Sequence, residues 1–165
     1  MKLSSEFKLP CGTLLNNRIV KAAMTERLAG SNRLPNQKHV TLYERWAKSG
    51  AAVLITGNIM VDPFHLESAG NMVIKDHTPE QPYRHLTEAV TKHGTHLWAQ
   101  ISHAGRQASL FSKTRPLSAS DVKLEKWGLF GKPIPMSEGQ IEETIERFVK
   151  TAVFCRDVGL SLIHI

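Results

Sequence analysis

Three short segments of the sequence carry hydrogen-bonding side chains or glycine at points where apolar stretches end. The segments are residues 23–26, 56–58 and 100–106. The carboxamide of Gln100 can accept one hydrogen bond while it donates another, and the Thr25 hydroxyl can donate to an oxygen on which negative charge develops. Gly57 lets a ligand approach the main chain because it has no Cβ. Together these residues could hold one edge of a polar ligand.

Each of these residues also has an ordinary structural interpretation. Gln100 could satisfy main-chain groups at the end of a strand, and Thr25 and Gly57 could be turn residues. Met24 is of a type that most often fills a core. His103 could contact a ligand, or it could make a structural hydrogen bond in a glycine-containing turn. The residue types alone leave both interpretations open.

No spacing of ligand residues predicts a metal site. His93 and His96 lie close in the sequence, but Gly94 separates a predicted helix end from a strand start there, and no third ligand is evident. Cys11 and Cys155 stand at opposite ends of the chain, without metal-type spacing. We therefore predict no metal and two free thiols.

Strands must position these segments. We predict strands over residues 19–24, 51–55 and 96–101. The second is continuously apolar, which is typical of a parallel strand buried on both faces, and it is expected to stop at residues 56–58. A small hairpin, formed by residues 7–9 and 14–15 around a turn at Gly12, precedes the first strand.

Helices alternate with these strands. The first is predicted over residues 37–48 with a left-handed cap at Gly50. The second begins at a Thr78 cap, with Pro79 at its first position, and ends at residues 93–94. The third begins at a capping box of Ser137 to Gln140 and ends at Gly159. The predicted buried residues are Val40, Tyr43 or Glu44 and Ala47 in the first helix, Tyr83, Leu86 and Val90 in the second, and Ile141, Ile145, Phe148 and Ala152 in the third.

The alternation of strands and helices predicts an α/β fold with a parallel sheet and right-handed crossovers. An open sheet that binds a dinucleotide would carry a glycine-rich turn after its first strand, and residues 24–27 are Met-Thr-Glu-Arg instead. This favours a barrel, whose active site lies at the carboxyl ends of the strands. The long segment 102–136, rich in Gly, Pro, Ser and Lys, is expected to be functional or lid-like.

Three motifs stand in order at those strand ends. They are residues 17–25 (Asn-Arg-Ile-Val-Lys-Ala-Ala-Met-Thr), 55–58 (Ile-Thr-Gly-Asn) and 100–106 (Gln-Ile-Ser-His-Ala-Gly-Arg). From about residue 7 to about residue 159 the chain resembles the old yellow enzyme family of NADH:flavin oxidoreductases, in the branch with the His-Ala-Gly-Arg element. The resemblance implies a (β/α)8 TIM barrel that binds FMN. Such a protein passes a hydride from NADH or NADPH through the flavin to an activated alkene or similar acceptor.

The resemblance also implies roles for individual residues. Gln100 would accept from the flavin ring N–H and donate to the adjacent carbonyl, and Thr25 would donate to the carbonyl beside the redox-active nitrogen and tune its potential. Ala23 and Met24 would present main-chain groups to the ring, and Gly57 would allow a close approach. The family more often has proline at position 23, where this sequence has alanine.

Two further candidates follow from the same resemblance. His103 would contact substrate or flavin, with a structural role as its alternative. Arg106 would bridge subunits of a homo-oligomer, with a position in solvent as its alternative.

The chain is shorter than a whole barrel, which needs roughly 250 residues. We interpret residues 1–159 as the N-terminal part of an FMN-binding TIM-barrel domain: a hairpin, three βα units and the start of a fourth strand. The resemblance puts the substrate-binding pair, the proton-donating tyrosine and the flavin-phosphate site in the missing part. We therefore expect this chain alone to be inactive, marginally stable and a poor binder of FMN.

Residues 160–165 (Leu-Ser-Leu-Ile-His-Ile) read like a sequencing-library adapter translated in one frame. We interpret them as a non-native tail. The competing interpretation is a genuine fourth strand, in which the family carries an Ile-His pair, and in neither case is His164 assigned a catalytic role.

Composition narrows the function classes. The 165 residues carry a net charge of +6, but Lys and Arg are scattered without a run of three, so no nucleic-acid partner is predicted. The longest apolar stretch, residues 50–61, is too short to cross a bilayer, and the N-terminus has no signal-peptide pattern. We expect a cytoplasmic protein with a small-molecule substrate.

Two rival functions stay open at this point. One is a non-catalytic barrel fragment that acts as a scaffold. The other is a non-flavin barrel lyase or isomerase.

Overall fold

The computed structural model describes residues 2–160 and the backbone of residues 163–164. In chain order the elements are β1 Phe7–Lys8, β2 Leu14–Leu15, β3 Val20–Lys21, α1 Gln37–Ala47, β4 Val53–Met60, β5 Met72–Val73, α2 Gln81–Thr91, β6 His96–Ser102, β7 Leu117–Ser118, β8 Ile134–Pro135, α3 Glu138–Asp157 and β9 Ile163–His164. A 3-10 turn covers Gly105–Gln107.

The central sheet is parallel and follows chain order. Its strands are arranged β3-β4-β6-β9, and β5 pairs with the distal end of β4. The register places Val20 beside Val53 and Leu54 beside Leu97. This succession of neighbours is what right-handed strand–helix–strand crossovers produce. The antiparallel hairpin β1–β2, which was predicted around Gly12, precedes the sheet.

The main core lies between the sheet and the helices. Its largest buried side chains include Tyr43 on α1 and Tyr83 on α2, and both helices present the predicted apolar stripes. Leu15 of the hairpin packs against Ala52 and Val53 at the start of β4. Polar side chains lie instead at the carboxyl ends of the strands.

The first helix is built as its sequence predicts. The Asn36 side chain accepts hydrogen bonds from the main chain of Lys38 and His39, and the ring of His39 accepts from the Asn36 N–H in return. Tyr43 is the buried member of the Tyr43/Glu44 alternative. The carboxylate of Glu44 instead accepts hydrogen bonds from Lys92, Lys48 and His93, which lower its pKa to about 2. These contacts link the ends of α1 and α2.

Two strand predictions were wrong in their bounds. β3 covers Val20–Lys21 and not residues 19–24, whereas β4 continues through residues 56–58 as far as Met60. The register of β4 with β6 shifts between Ile55 and Asn58, so β4 continues across this irregularity instead of stopping at residues 56–58. Such a bulge interrupts the ladder and turns the strand away from its neighbour.

Two helix predictions also need correction. α2 begins at Gln81 with Glu80 at its N-cap and Pro82 within its first turn, because the Thr78 hydroxyl instead accepts from the Lys75 N–H. On α3 the capping box of Ser137 and Gln140 is present. However, Ile141 and Ile145 are 44% and 57% exposed.

The face of α3 that packs on the core lies further along the helix than predicted. Phe148 and Ala152 pack against it, as expected, with Thr151 and Cys155 buried. Ile141 and Ile145 are instead continued by Val149 and Val153 as an exposed apolar row. The α3 sequence therefore contains two apolar rows, of which the described sheet covers one.

The long segment 102–136 contains the 3-10 turn and β7, which pairs in parallel with β8.

Both cysteine thiols are free. Cys11 is exposed and Cys155 is buried, and burial raises the pKa of Cys155 to about 12. Among the described residues, no helix combines the length and the apolarity that a membrane span needs.

Residues 160–165 fall mostly outside the described part of the chain. The backbone of Ile163–His164 pairs in parallel with Ala99 and Gln100 of β6. The adapter origin of this tail stays a prediction.

Candidate functional site

Polar side chains from three neighbouring strands meet at the carboxyl edge of the sheet. The Gln100 side chain on β6 donates to the Asn58 carboxamide oxygen on β4. The Asn58 Nδ2 donates in turn to Glu67 Oε2 at 3.3 Å, and the Thr25 hydroxyl donates to the same oxygen at 2.9 Å. One chain of hydrogen bonds therefore joins the strand ends that the sequence predicted to converge. We call Thr25, Asn58, Glu67 and Gln100 the inner cluster.

Glu67 is the centre of the inner cluster. It lies in the loop between β4 and β5, and its Oε2 also accepts from the buried Asn71 side chain at 3.4 Å. All of these donors are neutral. The carboxylate is thus held by three hydrogen bonds without an opposite charge among them.

Gly57 owes its identity to a close approach of the protein chain itself. A Cβ at this position would lie closer than 3.0 Å to the Met24 carbonyl oxygen, to Thr25 Cα and to the Glu26 carboxylate. The segment that follows β3 therefore packs directly on the β4 bulge. This contact requires glycine whether or not a ligand approaches the same point.

A second carboxylate fastens that segment. Glu26 Oε1 accepts from the Gly57 N–H at 3.0 Å and from the Tyr43 hydroxyl, whose oxygen also lies 3.1 Å from the Gly57 nitrogen. Burial, followed by the neighbouring Glu26 charge, raises the pKa of Tyr43 well above its usual value. Tyr43 thus stays a neutral donor.

Lys21 completes the fastening from the other side. Its ammonium donates to the carbonyl oxygens of Ala22 and Ile55 at 2.8 and 3.1 Å and lies 4.3 Å from the centroid of the Trp46 ring. Burial lowers the pKa of Lys21, while Glu26 acts in the opposite direction. Side chains thus supply the hydrogen bonds where the β3 ladder has ended.

The predicted residues Ala23 and Met24 lie in this segment. Met24 is 53% exposed in the described chain, and its carbonyl oxygen packs on Gly57. Ala23 is half-buried. Both residues are at the strand ends, where the sequence places them.

His103 belongs to a different group of residues, which we call the outer cluster: Asp62, His65, His103 and Arg147. The His103 side chain is 9% exposed, and its Nδ1 accepts from the Gly105 N–H at 3.1 Å. This bond assigns the ring hydrogen to Nε2, which faces Asp62 Oδ2 at 3.8 Å. His103 Nδ1 therefore makes a hydrogen bond within a glycine-containing turn, which is the predicted alternative to a ligand contact.

Asp62 is the centre of the outer cluster. It accepts from the Phe64 N–H at 2.7 Å and from His65 Nδ1 at 3.0 Å, and Arg147 Nη1 lies 3.1 Å from Oδ2. Burial alone would raise the pKa of Asp62. The nearby His103 ring, together with hydrogen bonds from His65 and the Phe64 N–H, outweighs it and holds that pKa well below its usual value.

The atoms of Asp62, His65 and His103 that could ligate a metal lie within 4.8 Å of one another. However, the Arg147 guanidinium already contacts the shared Asp62 oxygen. His65 Nε2 also accepts from the Leu117 N–H at 3.0 Å, so both of its ring nitrogens are engaged. The donor set fits an ion-pair network better than a cation site.

Arg106 lies in the 3-10 turn and is exposed. This position leaves both of its predicted roles, subunit bridge and solvent-facing residue, available.

Glu26, Asp62 and Glu67 were not predicted as site residues, because carboxylates in loops carry no recognisable spacing. A usable signal was their position within a few residues of a predicted strand end.

In the inner cluster, Gln100 has the hydrogen-bonding capacity that one edge of an isoalloxazine ring requires. Gln100 Oε1 accepts no hydrogen bond among the described residues. Gln100 Nε2 donates one of its two hydrogens to Asn58, so the other is available to a ligand. Gln100 can therefore accept and donate simultaneously. Thr25 differs, because its one hydroxyl hydrogen is directed at Glu67.

The sequence model of the NADH:flavin oxidoreductase / NADH oxidase family matches residues 7–165. The NADH-dependent flavin oxidoreductase iliE of Hypocrea jecorina is 29% identical over 95% of this chain and 44% of its own length. The NADH-dependent flavin oxidoreductase nadA of Aspergillus parasiticus is 30% identical over 87% of this chain and 36% of its own length. The chain thus spans less than half the length of these two curated relatives.

Solved structures agree on the fold. Morphinone reductase in complex with tetrahydroNAD superposes with a TM-score of 0.88 at 17% identity, covering 99% of this chain and 48% of its own. The old yellow enzyme homologue from Zymomonas mobilis superposes with a TM-score of 0.86 at 17% identity, covering 99% and 47%. The predicted fold class, the N-terminal half of a (β/α)8 TIM barrel, is confirmed.

Proposed function

The chain belongs to the NADH:flavin oxidoreductase / NADH oxidase family, the old yellow enzyme family, and from this premise we propose that it is part of a longer FMN-dependent oxidoreductase. We call that longer polypeptide the parent protein. It takes a hydride from NADH or NADPH and delivers it through the flavin to an activated alkene or a similar small acceptor. Residues 1–159 are its N-terminal barrel half, and residues 160–165 a non-native tail.

The observation that carries this proposal is the chain of hydrogen bonds through the inner cluster. It brings Gln100, Asn58 and Thr25 to one edge of the sheet, at the carboxyl ends of β3, β4 and β6. Active sites of such barrels are built at that edge. A scaffold or a structural barrel end has no need for an amide that keeps both a donor and an acceptor available.

Each residue then has a defined task. Gln100 accepts from the flavin ring N–H and donates to the adjacent carbonyl, and Thr25 brings its hydroxyl to the carbonyl beside the redox-active nitrogen. The main chain of Ala23 and Met24 borders the ring, held by the Gly57 contact. FMN, when bound, supplies the capacity to take up and release a hydride.

His103 and Arg106 receive tasks outside the flavin contact. His103 supports the strand end through Asp62, and Arg106 bridges subunits of a homo-oligomer. We further propose a cytoplasmic location. The chain by itself is inactive, because the substrate-binding pair, the proton donor and the phosphate site belong to the rest of the parent protein.

The test is the absorption spectrum of the parent protein, recovered from its source, before and after anaerobic addition of NADH or NADPH. Flavin bands that bleach would support the proposal. A colourless protein that takes up no added FMN would refute it and favour the scaffold or the non-flavin barrel enzyme.

A pair of variants links the result to the site. Gln100→Leu removes both hydrogen bonds and should raise the Kd for FMN roughly tenfold, for a loss of about 1–2 kcal/mol. Gln81→Leu is the matched control, since Gln81 is exposed at the start of α2. Equal FMN affinity in the two variants would contradict the role of Gln100.

A further inference from the structure

We propose that Thr56 is a positioning residue whose hydroxyl oxygen holds the main chain of Gln100 at the point from which the Gln100 carboxamide reaches the flavin. This inference rests on the proposed function, because it assumes that Gln100 contacts a flavin. It also gives the bulge in β4 a task in that function.

The bulge disturbs the ladder between β4 and β6 directly beside Gln100. The register shifts between Ile55 and Asn58, so the two β4 residues between them oppose Ala99 alone. An extra residue of this kind interrupts the regular main-chain hydrogen bonds of a ladder. At this point the Gln100 N–H donates to the side chain of Thr56, with an N···O distance of 3.0 Å.

The direction of this hydrogen bond does not depend on how the Thr56 hydroxyl is turned. A main-chain N–H can only donate, so the Thr56 oxygen must be the acceptor. The hydroxyl itself donates to the Gly57 carbonyl oxygen at 2.8 Å, and the Thr56 side chain is fully buried. A flavin at the strand ends therefore does not compete for this oxygen.

The bulge also determines which β4 side chain meets the Gln100 carboxamide. Trp98 and Gln100 are two residues apart on β6, so their side chains lie on one face of the sheet. Their β4 partners, Ile55 and Asn58, are three residues apart and would lie on opposite faces of a regular strand. The extra residue brings Asn58 to the face of Gln100, where it accepts from the Gln100 side chain. Thr56 thus holds the main chain of Gln100, and Asn58 contacts its carboxamide.

Two substitutions separate the Thr56 oxygen from the rest of the side chain. Thr56→Val keeps the branched shape and removes the acceptor of the Gln100 N–H, whereas Thr56→Ser keeps the oxygen. The matched control is Thr95→Val, directly before β6 at the opposite end of the strand. The buried Thr95 hydroxyl donates there to the Ala51 carbonyl oxygen at 2.9 Å, far from the strand ends that face the flavin.

The measurement is the Kd for FMN of the parent protein, obtained by titrating the flavin-free protein with FMN and following the flavin fluorescence. Thr56→Val should raise this Kd roughly tenfold, the effect expected of Gln100→Leu. Thr56→Ser and Thr95→Val should leave it near the wild-type value. An unchanged Kd in Thr56→Val, or an equal rise in Thr95→Val, would overturn the proposal.

A double-mutant cycle tests whether Thr56 acts through Gln100. Leucine at position 100 makes no hydrogen bond to the flavin, so in the Gln100→Leu background Thr56→Val should no longer raise the Kd. The two substitutions are then strongly non-additive. A general loosening of the strand ends would raise the Kd by the same factor in both backgrounds, and that result would overturn the proposal.

The serine variant decides the question if Thr56→Val does not fold. An unchanged Kd in Thr56→Ser supports the proposal, whereas a rise of roughly tenfold in spite of the retained oxygen overturns it. Failure of the proposed function is a separate outcome. In that case the wild-type parent protein binds no FMN, which its absorption spectrum shows before any variant is compared.

Discussion

The loop after β4 carries two carboxylates that differ in the charge of their partners. Asp62, in the outer cluster, is buried and receives His65, His103 and Arg147. Glu67, in the inner cluster, is half-buried and is described only with neutral donors. A carboxylate with cationic partners can thus link secondary-structure elements through ion pairs. A carboxylate with neutral partners keeps its negative charge, which acts electrostatically on the neighbouring site.

The two clusters also differ in what they join. The outer cluster connects the β4 loop to the segment after β6 and to α3, so its loss affects packing of whole elements. The inner cluster connects strand ends that already lie side by side in one sheet. We therefore expect the outer cluster to contribute more to stability and the inner cluster more to ligand chemistry.

The largest effect is expected at Gly57, where steric contact rather than charge decides. Gly57→Ala forces the main chain of residues 24–25 away from β4 and should reduce the free energy of unfolding by about 3 kcal/mol. Urea denaturation of the parent protein measures it. Gly139→Ala in α3 is the control, since nothing lies within 4 Å of its added Cβ, and it should be neutral or stabilising. Equal free energies of unfolding for the two variants would contradict the close approach of residues 24–25 to Gly57.

Asp62→Asn tests the comparison itself. It should reduce the free energy of unfolding by about 2 kcal/mol, because hydrogen bonds to a charged group are weakened at three partners. Glu67→Gln should cost about 0.5 kcal/mol, since all its partners remain satisfied. Urea denaturation of both variants decides the order. A larger loss of unfolding free energy in Glu67→Gln than in Asp62→Asn would contradict the view that the outer cluster contributes more to stability.

Acid titration should sharpen the same contrast. The pKa of Asp62 is lower in the folded protein than its unfolded value of about 3.9, so its stabilisation is complete above that pH and is lost as the pH falls below it. The free energy of unfolding, measured from pH 6 downwards to about pH 3, should fall less steeply in Asp62→Asn than in the wild type. An unchanged slope would show that another carboxyl group is responsible.

A smaller effect than at Gly57 or Asp62 is expected at Tyr43, which donates to Glu26 from α1. Tyr43→Phe removes the donor to Glu26 while the Gly57 N–H keeps its bond to the same carboxylate, so the loss should be about 1 kcal/mol. Tyr83→Phe is a matched comparison, because the Tyr83 hydroxyl is buried and donates to the Val73 carbonyl oxygen at 3.1 Å. A loss at Tyr43 well above that at Tyr83 would mean that Glu26 depends on Tyr43 more than its geometry indicates.

Much of the fold could be predicted from the sequence, because local patterns determine it. The hairpin, the order of strands and helices, and the buried stripes of α1 and α2 follow from apolar periodicity and turn residues. Element ends were less predictable. β4 extends past Gly57 because contacts with the segment after β3 and with β6 support the bulge, and neither contact is visible in the local sequence.

The site divides in the same way. Thr25, Gly57 and Gln100 could be placed at one edge because strand ends of a parallel sheet converge there. Glu67 and Asp62 could not, because their partners come from distant elements and no motif contains them. The exposed apolar row of α3 shows the same limit, since periodicity detects apolar rows but not which of them the sheet covers.

The placement of both carboxylates on one short loop constrains how this protein can vary over evolution. Surface loops ordinarily accept insertions and deletions. Here a single added residue between Asp62 and Glu67 would displace one carboxylate or the other from its donors, because each end is tied to a different layer of the barrel. We expect homologous sequences to exchange residues within this loop while its length is preserved.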